Sequence, residues 1–263
     1  MSKSSGTSVT IAAAASLTDA LNDAKKEIKK KLDIKEIDIY QGASGYLAGR
    51  ILGTPPLEPL IADLFFSANL ASMEELDEAE RIVEYTPLLG NTLVLIRNNV
   101  DPLTSITGFG SLNFSNTIAQ GVQIFVADPA DYGDGTPMNV PAGIYARSTF
   151  RLAGNWRFIR RHATFAGMWN VRYVLSAVAN CAGPAVGVVY LTDAMTQASK
   201  VTVIAQAPSC INNSIIYPLG IIANGPGVGA DTEKVEDLYN FLCSEDGLKY
   251  FRNRGFRVLS DPI

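Results

Sequence analysis

The strongest constraint on the fold is a succession that recurs along the chain: a short apolar run, a turn of small or polar residues, then an amphipathic helix pattern. The first instance is SVTIAAAASLTDALNDAKK, from Ser8. Val9–Ala14 reads as a buried strand that breaks off at Ser16-Leu17-Thr18-Asp19. Beyond the break, Leu17, Leu21, Ala24, Ile28 and Leu32 form one apolar stripe with lysines opposite, so this helix packs one face on a sheet and solvates the other. Ile37–Tyr40 is the next strand, and QGASGYLAGRIL is a glycine-rich turn opening a second helix. Short strands alternating with helices predict an α/β fold, with sheets covered by helices.

The same reading continues through a strand at 63–67 (DLFFS) and an acidic helix, SMEELDEAERI. LLGNTLVLIRNN is read as one strand that follows no helix return, and there the chain crosses into a second lobe. A strand at 122–127 leads through the loop DPADYGDGTPMNVPAG to a helix from Ile144; helices at 156–161 and 170–179 and strands at 186–190 and 201–205 follow. YPLGII returns to the first lobe, which the single helix VEDLYNFLCSEDGLKYF closes. The expected lobes are 1–90 with 208–263, and 91–207. Two crossings are the wiring of a hinged protein whose ligand lies where both lobes can close on it.

Composition narrows the function. A net charge of −4 with scattered Lys and Arg leaves no basic face for a phosphate backbone, so nucleic acid is excluded as a partner. No apolar run reaches the roughly 18 residues of a membrane span, so no membrane insertion is expected. The start MSKSSGTS is polar and lacks the apolar centre of a secretory signal. Cys181, Cys210 and Cys243 fit neither a disulfide framework nor a zinc cluster and read as small buried apolar residues. His162, the only histidine, reads as a surface residue of a helix, which rules out a His-rich metal site. Nothing demands more than a monomer.

Two turns share a design. Ser16 in AAASLTD and Ser44 in GASGYL each stand where a strand hands over to a helix, and each is expected to be the N-cap, with Asp19 completing a capping box after Ser16. Such a cap stabilises by about 1 kcal/mol. The same helix start offers backbone N–H groups and a positive dipole end to an oxyanion. In VPAGIYAR, Pro141, Ala142 and Gly143 put small residues ahead of another helix. In GVVYLTDA, Tyr190 ends a buried strand, its hydroxyl aimed into a cleft or at a backbone carbonyl. GPGVGA matches G-x-G-x-x-A, but Pro226 removes an N–H and the segment lies near the C-terminal end, so it reads as a loop before a helix capped by Asp231 or Thr232. The aspartates of DPADYGDG do not have calcium-loop spacing.

Taken in order, AAASLTDAL, GASGYLA, ADLFFSAN, LLGNTLVLI, VPAGIYAR, NVRYVLSAV, GVVYLTDA and YPLGII resemble the periplasmic molybdate-binding protein (ModA) family, the substrate-binding component of an ABC importer. The resemblance implies a two-lobed periplasmic-binding-protein fold of type II, each lobe a mixed sheet flanked by helices, joined by a two-strand hinge. It implies a binding protein, not an enzyme, in the periplasm or otherwise extracytoplasmic, that closes on molybdate or tungstate and delivers it to a membrane permease. No cofactor is implied, and the metal would be held as its oxyanion with no directly coordinating side chain.

By the same resemblance, Ser16 and Ser44 donate hydroxyl and backbone N–H bonds from the first lobe, Ala142 and Val171 donate backbone N–H bonds from the second, and the Tyr190 hydroxyl completes the shell. Two departures stand out: Asn69 where the family has Asp after SA, and the longer loop DYGDGTPMN before VPAG. A donor-only site would leave the hydroxyl of a protonated phosphate unpaired, at about 1–3 kcal/mol. Sulfate and molybdate share charge and shape, so cavity size alone would separate them. The alternatives are another oxyanion, such as sulfate or phosphate, or an enzyme on the same scaffold with Asp19 as the nearest carboxylate.

Overall fold

β1 (Ser8–Ala14) is the apolar run that opens the sequence, fully buried from Ile11 onward. It is buried because it is an interior strand, paired in parallel on both edges, and such strands carry continuous apolar sequence. The computed structural model describes residues 8–129, 139–223 and 231–260. The chain falls into two compact units, Met1–Gly90 with Ile216–Ile263, and Asn91–Ile215.

The first unit continues with α1 (Thr18–Leu32), β2 (Glu36–Gly42), α2 (Ser44–Leu52), β3 (Leu64–Phe66), α3 (Leu70–Glu78) and β4 (Ile82–Gly90). The second unit holds β5 (Leu93–Asn98), β6 (Gln123–Phe125), α4 (Pro141–Leu152), α5 (Trp156–His162), α6 (Val171–Ala179), β7 (Ala185–Tyr190), α7 (Leu191–Thr196), β8 (Val201–Gln206) and α8 (Ser209–Asn212). The chain then returns as β9 (Ile216–Ile222), α9 (Thr232–Cys243), α10 (Glu245–Asn253) and β10 (Arg257–Val258).

The first unit's sheet runs β10-β4-β9-β3-β1-β2, with β1 parallel to β2 and β3, and β9 antiparallel to both β3 and β4. One face is covered by α2 and α3, where Leu47, Ala48, Ile51, Met73 and Leu76 pack on Ala12 and Phe65. α1 buries Ala20, Leu21, Ala24 and Ile28 and packs against α9 and α10. The second unit's sheet runs β6-β7-β5-β8, with β6 parallel to β7 and the other pairings antiparallel. α6 presses so closely on β7 that a Cβ at Gly187 would lie 2.6 Å from a Val178 methyl. Among the described residues, no helix is long and apolar enough to cross a membrane.

Several expectations need correction. LLGNTLVLIRNN is two strands, because Asn91-Thr92 separate β4 from β5 at the passage between units. The second passage falls at Ile215–Ile216, beyond the expected 207–208; α8 stays with the second unit because the Asn212 side chain accepts from Leu93 N and donates to Ala207 O. The C-terminal helix is two helices. Ser244 interrupts it, accepting from Gly247 N at 3.4 Å, and Gly247 sits so close that a Cβ there would meet Phe241 O at 2.2 Å. The cysteines are not fully buried: Cys210 is exposed on the single turn of α8, and Cys181 and Cys243 are half-buried at helix ends, where burial still pushes the Cys243 thiol up to about 11.

His162 ends α5, half-buried, with its ring 4.6 Å from that of Phe158. Asp231 caps α9 as expected, accepting from Glu233 N. The GPGVGA segment, the start MSKSSGT and residues 131–138 of the inserted loop lie outside the described residues.

Candidate functional site

In the first unit, the turns after the parallel strands meet at one end of the sheet, where ligands of open α/β sheets bind. Ala14 and Gly42 are register partners at the ends of β1 and β2, so Ser16 and Ser44 emerge side by side. Both are buried, at 3% and 0% exposure. Neither serine caps a helix. A 3-10 turn, Ala15–Leu17, intervenes before α1, so Ser16 stands inside that turn and Leu17 takes the cap position without a side-chain bond. The expected capping box with Asp19 is therefore not formed. The Thr18 hydroxyl occupies the junction instead, within reach of Ala15 O (2.9 Å) and Gln41 Oε1 (2.8 Å). Ser44 is likewise one residue late: it is the first residue of α2, after an Ala43 cap.

What the serine hydroxyls do instead is bond across the sheet end. Ser44 Oγ accepts from Ala68 N at 2.8 Å, which ties the turn after β2 to the turn after β3. Ser16 Oγ lies 3.0 Å from the Tyr217 hydroxyl on β9. The turn after β3 is fixed in the same way, with Ser67 N donating to Pro218 O at 3.0 Å. Asn69 lies in this turn, 7% exposed, and its N–H donates to Ser67 Oγ.

In the second unit, three expected residues share the end of the sheet reached by β6 and β7. Pro141 starts α4 as its first residue, Ala142 follows, and Gly143 lies so near the strand end that a Cβ would meet Ala127 O at 2.3 Å. That close approach is why small residues open α4; Pro141 has no N–H and Gly143 N donates to Val140 O, so Ala142 supplies the first-turn N–H that has no place in the helical ladder. Tyr190 is the last residue of β7, 1% exposed, directly before α7. Val171 is the first residue of α6, where the Asn170 side chain caps the helix by accepting from Arg172 N and Tyr173 N. Asp128 N donates to Met168 O, which holds the approach to α6 beside the end of β6.

One feature of this end escaped the sequence reading. Arg172 Nε lies 2.6 Å from Asp193 Oδ1, and the Asp193 side chain is fully buried. This ion pair clamps the start of α6 to α7, fixing Val171 relative to Tyr190. Its signal was present as opposite charges in the NVR and YLTD turns. One turn past Ala142, burial holds the Tyr145 phenol protonated, and its hydroxyl donates to Ser214 O. The two serines thus come together in the first unit, and Ala142, Val171 and Tyr190 in the second. The sequence reading also missed Tyr217 as a partner of Ser16, although it had placed YPLGII as the returning strand.

Comparisons with known proteins identify the family. The family described as bacterial extracellular solute-binding protein matches residues 9–257. YvgL of Bacillus subtilis (strain 168), provisionally named an ABC transporter substrate-binding lipoprotein, is 31% identical, covering 94% of this chain and 85% of its own length. The molybdate-binding protein ModA of Escherichia coli (strain K12) is 29% identical over 95% of this chain and 89% of its own. Among solved structures, the substrate-binding domain of a molybdenum ABC transporter, so assigned provisionally, from Clostridium difficile has a TM-score of 0.63 at 26% identity, covering 95% of this chain and 98% of its own. The fold is that of type II periplasmic binding proteins, and the related proteins bind solutes and are not enzymes. The chain belongs to the family of bacterial extracellular solute-binding proteins.

Proposed function

We propose that this protein is the extracytoplasmic substrate-binding component of an ABC importer, that it captures molybdate or tungstate by closing its two units on the dianion, and that it delivers the anion to a membrane permease. The observation that carries this reading is the buried pair of serines, Ser16 and Ser44, at adjacent parallel strand ends, each hydroxyl already engaged by a protein group and neither taken up in capping a helix. Neutral hydroxyl and N–H donors can replace the water shell of a tetrahedral dianion without an ion pair that would slow release. The proposed shell is the hydroxyls of Ser16, Ser44 and Tyr190 with backbone N–H groups at Ser16, Ser44, Ala142 and Val171. The metal is cargo, held through its oxygens, and the protein acts as a monomer with no cofactor.

Relatives named as molybdate-binding, which cover most of the chain, support the ligand assignment. Titration calorimetry of the protein with molybdate, tungstate, sulfate and phosphate tests it. Binding of molybdate and tungstate well ahead of sulfate and phosphate is the expected result; heat with sulfate or phosphate alone would overturn the ligand.

A further inference from the structure

Ser16 and Tyr217 are 201 positions apart, yet their hydroxyl oxygens lie 3.0 Å apart in a buried contact within the first unit. Tyr217 is 0% exposed. It is held at β9 by pairing with Leu89 of β4, and its ring packs edge-on against Phe256 at 5.4 Å, which in turn packs edge-on against Phe251. The phenol cannot turn away from Ser16 without disturbing that aromatic stack.

A serine hydroxyl has one hydrogen to give and two lone pairs to offer. In the Ser16–Tyr217 pair only one of the two hydroxyls can donate to the other. A phenol is the more acidic hydroxyl and hence the stronger donor, and an anion bound beside Ser16 needs hydrogens, not lone pairs. We propose that Tyr217 is a positioning residue of the oxyanion site: its O–H donates to Ser16 Oγ, which commits the Ser16 hydrogen to the bound anion. Polarisation along the chain Tyr217 to Ser16 to anion strengthens the second bond. Ser44 is set by the same logic, since Ala68 N–H fills one of its lone pairs at 2.8 Å and leaves its hydrogen to be given outward. The first unit therefore shows a ligand two hydroxyl hydrogens, each backed by a protein donor, and selects a fully ionised oxyanion.

This inference rests on the oxyanion reading of the site. The test is calorimetric titration of sodium molybdate into the wild-type chain, Ser16→Ala, Tyr217→Phe and the double variant. Tyr217→Phe is expected to weaken molybdate binding about five- to tenfold, and the double variant to bind no more weakly than Ser16→Ala alone, because Tyr217 acts only through Ser16. A purely structural role for the phenol would instead make the two losses add. Should Tyr217→Phe fail to fold, 3-fluorotyrosine placed at 217, a stronger donor of nearly the same shape, is expected to tighten molybdate binding. Unchanged affinity in Tyr217→Phe or with 3-fluorotyrosine, or additive losses, overturns the relay while leaving the oxyanion site standing. A wild-type chain that binds neither molybdate nor tungstate overturns both.

Discussion

Ser44→Ala would act twice. It removes a hydroxyl from the proposed shell, and it leaves the buried Ala68 N–H without its acceptor, so a stability loss of about 1–3 kcal/mol by urea unfolding should accompany weaker oxyanion binding. Gly143→Ala is a sharper probe of the other unit. Its Cβ would stand 2.3 Å from Ala127 O, a backbone atom that cannot swing aside, so the first turn of α4 must shift; lower thermal stability and weaker molybdate binding are the expected results. The two serines were legible as residues of interest because each stands where a strand hands over to a helix. Their roles were not legible. A capping reading uses only neighbours in sequence, whereas the partners that engage these hydroxyls, Tyr217 and Ala68, are brought in by β9 and β3.

At the scale of elements, α1 and α10 are joined by exposed charges. Lys31, Lys249 and the Tyr250 hydroxyl all bond Glu27 and draw its carboxyl from 4.5 down to about 2. A depressed carboxylate contributes stability that is present above its unfolded pKa and lost as pH falls through its folded one. The contribution of Glu27 should therefore fade between pH about 4.5 and about 2; melting curves across that range should show a shallower acid decline for Glu27→Gln than for the wild type. The Arg172–Asp193 pair behaves differently because Asp193 is fully buried. Arg172→Met should destabilise by about 3 kcal/mol by taking a charge partner from a buried carboxylate, and Arg172→Met with Asp193→Leu should recover part of the loss; chemical unfolding of both variants checks this. Strands and helices were legible wherever their period was clean, as in β1 and α1. Breaks were less so: Ser244 interrupts an unbroken apolar stripe, and its cap and the tight Gly247 turn appear only with three-dimensional packing.

For the whole molecule, a ligand that binds only the folded state adds stability with its concentration, about 2.7 kcal/mol at a hundredfold excess over Kd. Molybdate should therefore raise the melting temperature progressively, and sulfate far less, in a thermal-shift titration. Fold class was readable from the alternation of strands and helices. The returning strand YPLGII was readable too, but the point of passage ahead of it was not, because α8 is too short to carry a periodic signal and is held in its unit by the Asn212 side chain.

The strand order has a further consequence in time. β9 lies between β3 and β4, so two strands made early are joined by one made only after the entire second unit. Residues 91–215 form one continuous stretch and can fold while the chain is still being synthesised; residues 1–90 must wait, with two sheet edges open, for the last fifth of the chain. A fragment of 91–215 should give a cooperative unfolding transition by circular dichroism, and a fragment of 1–90 should not. The order of synthesis thus makes the second unit the early-folding part of the protein and keeps the half that carries Ser16 and Ser44 unfinished until the chain is nearly complete.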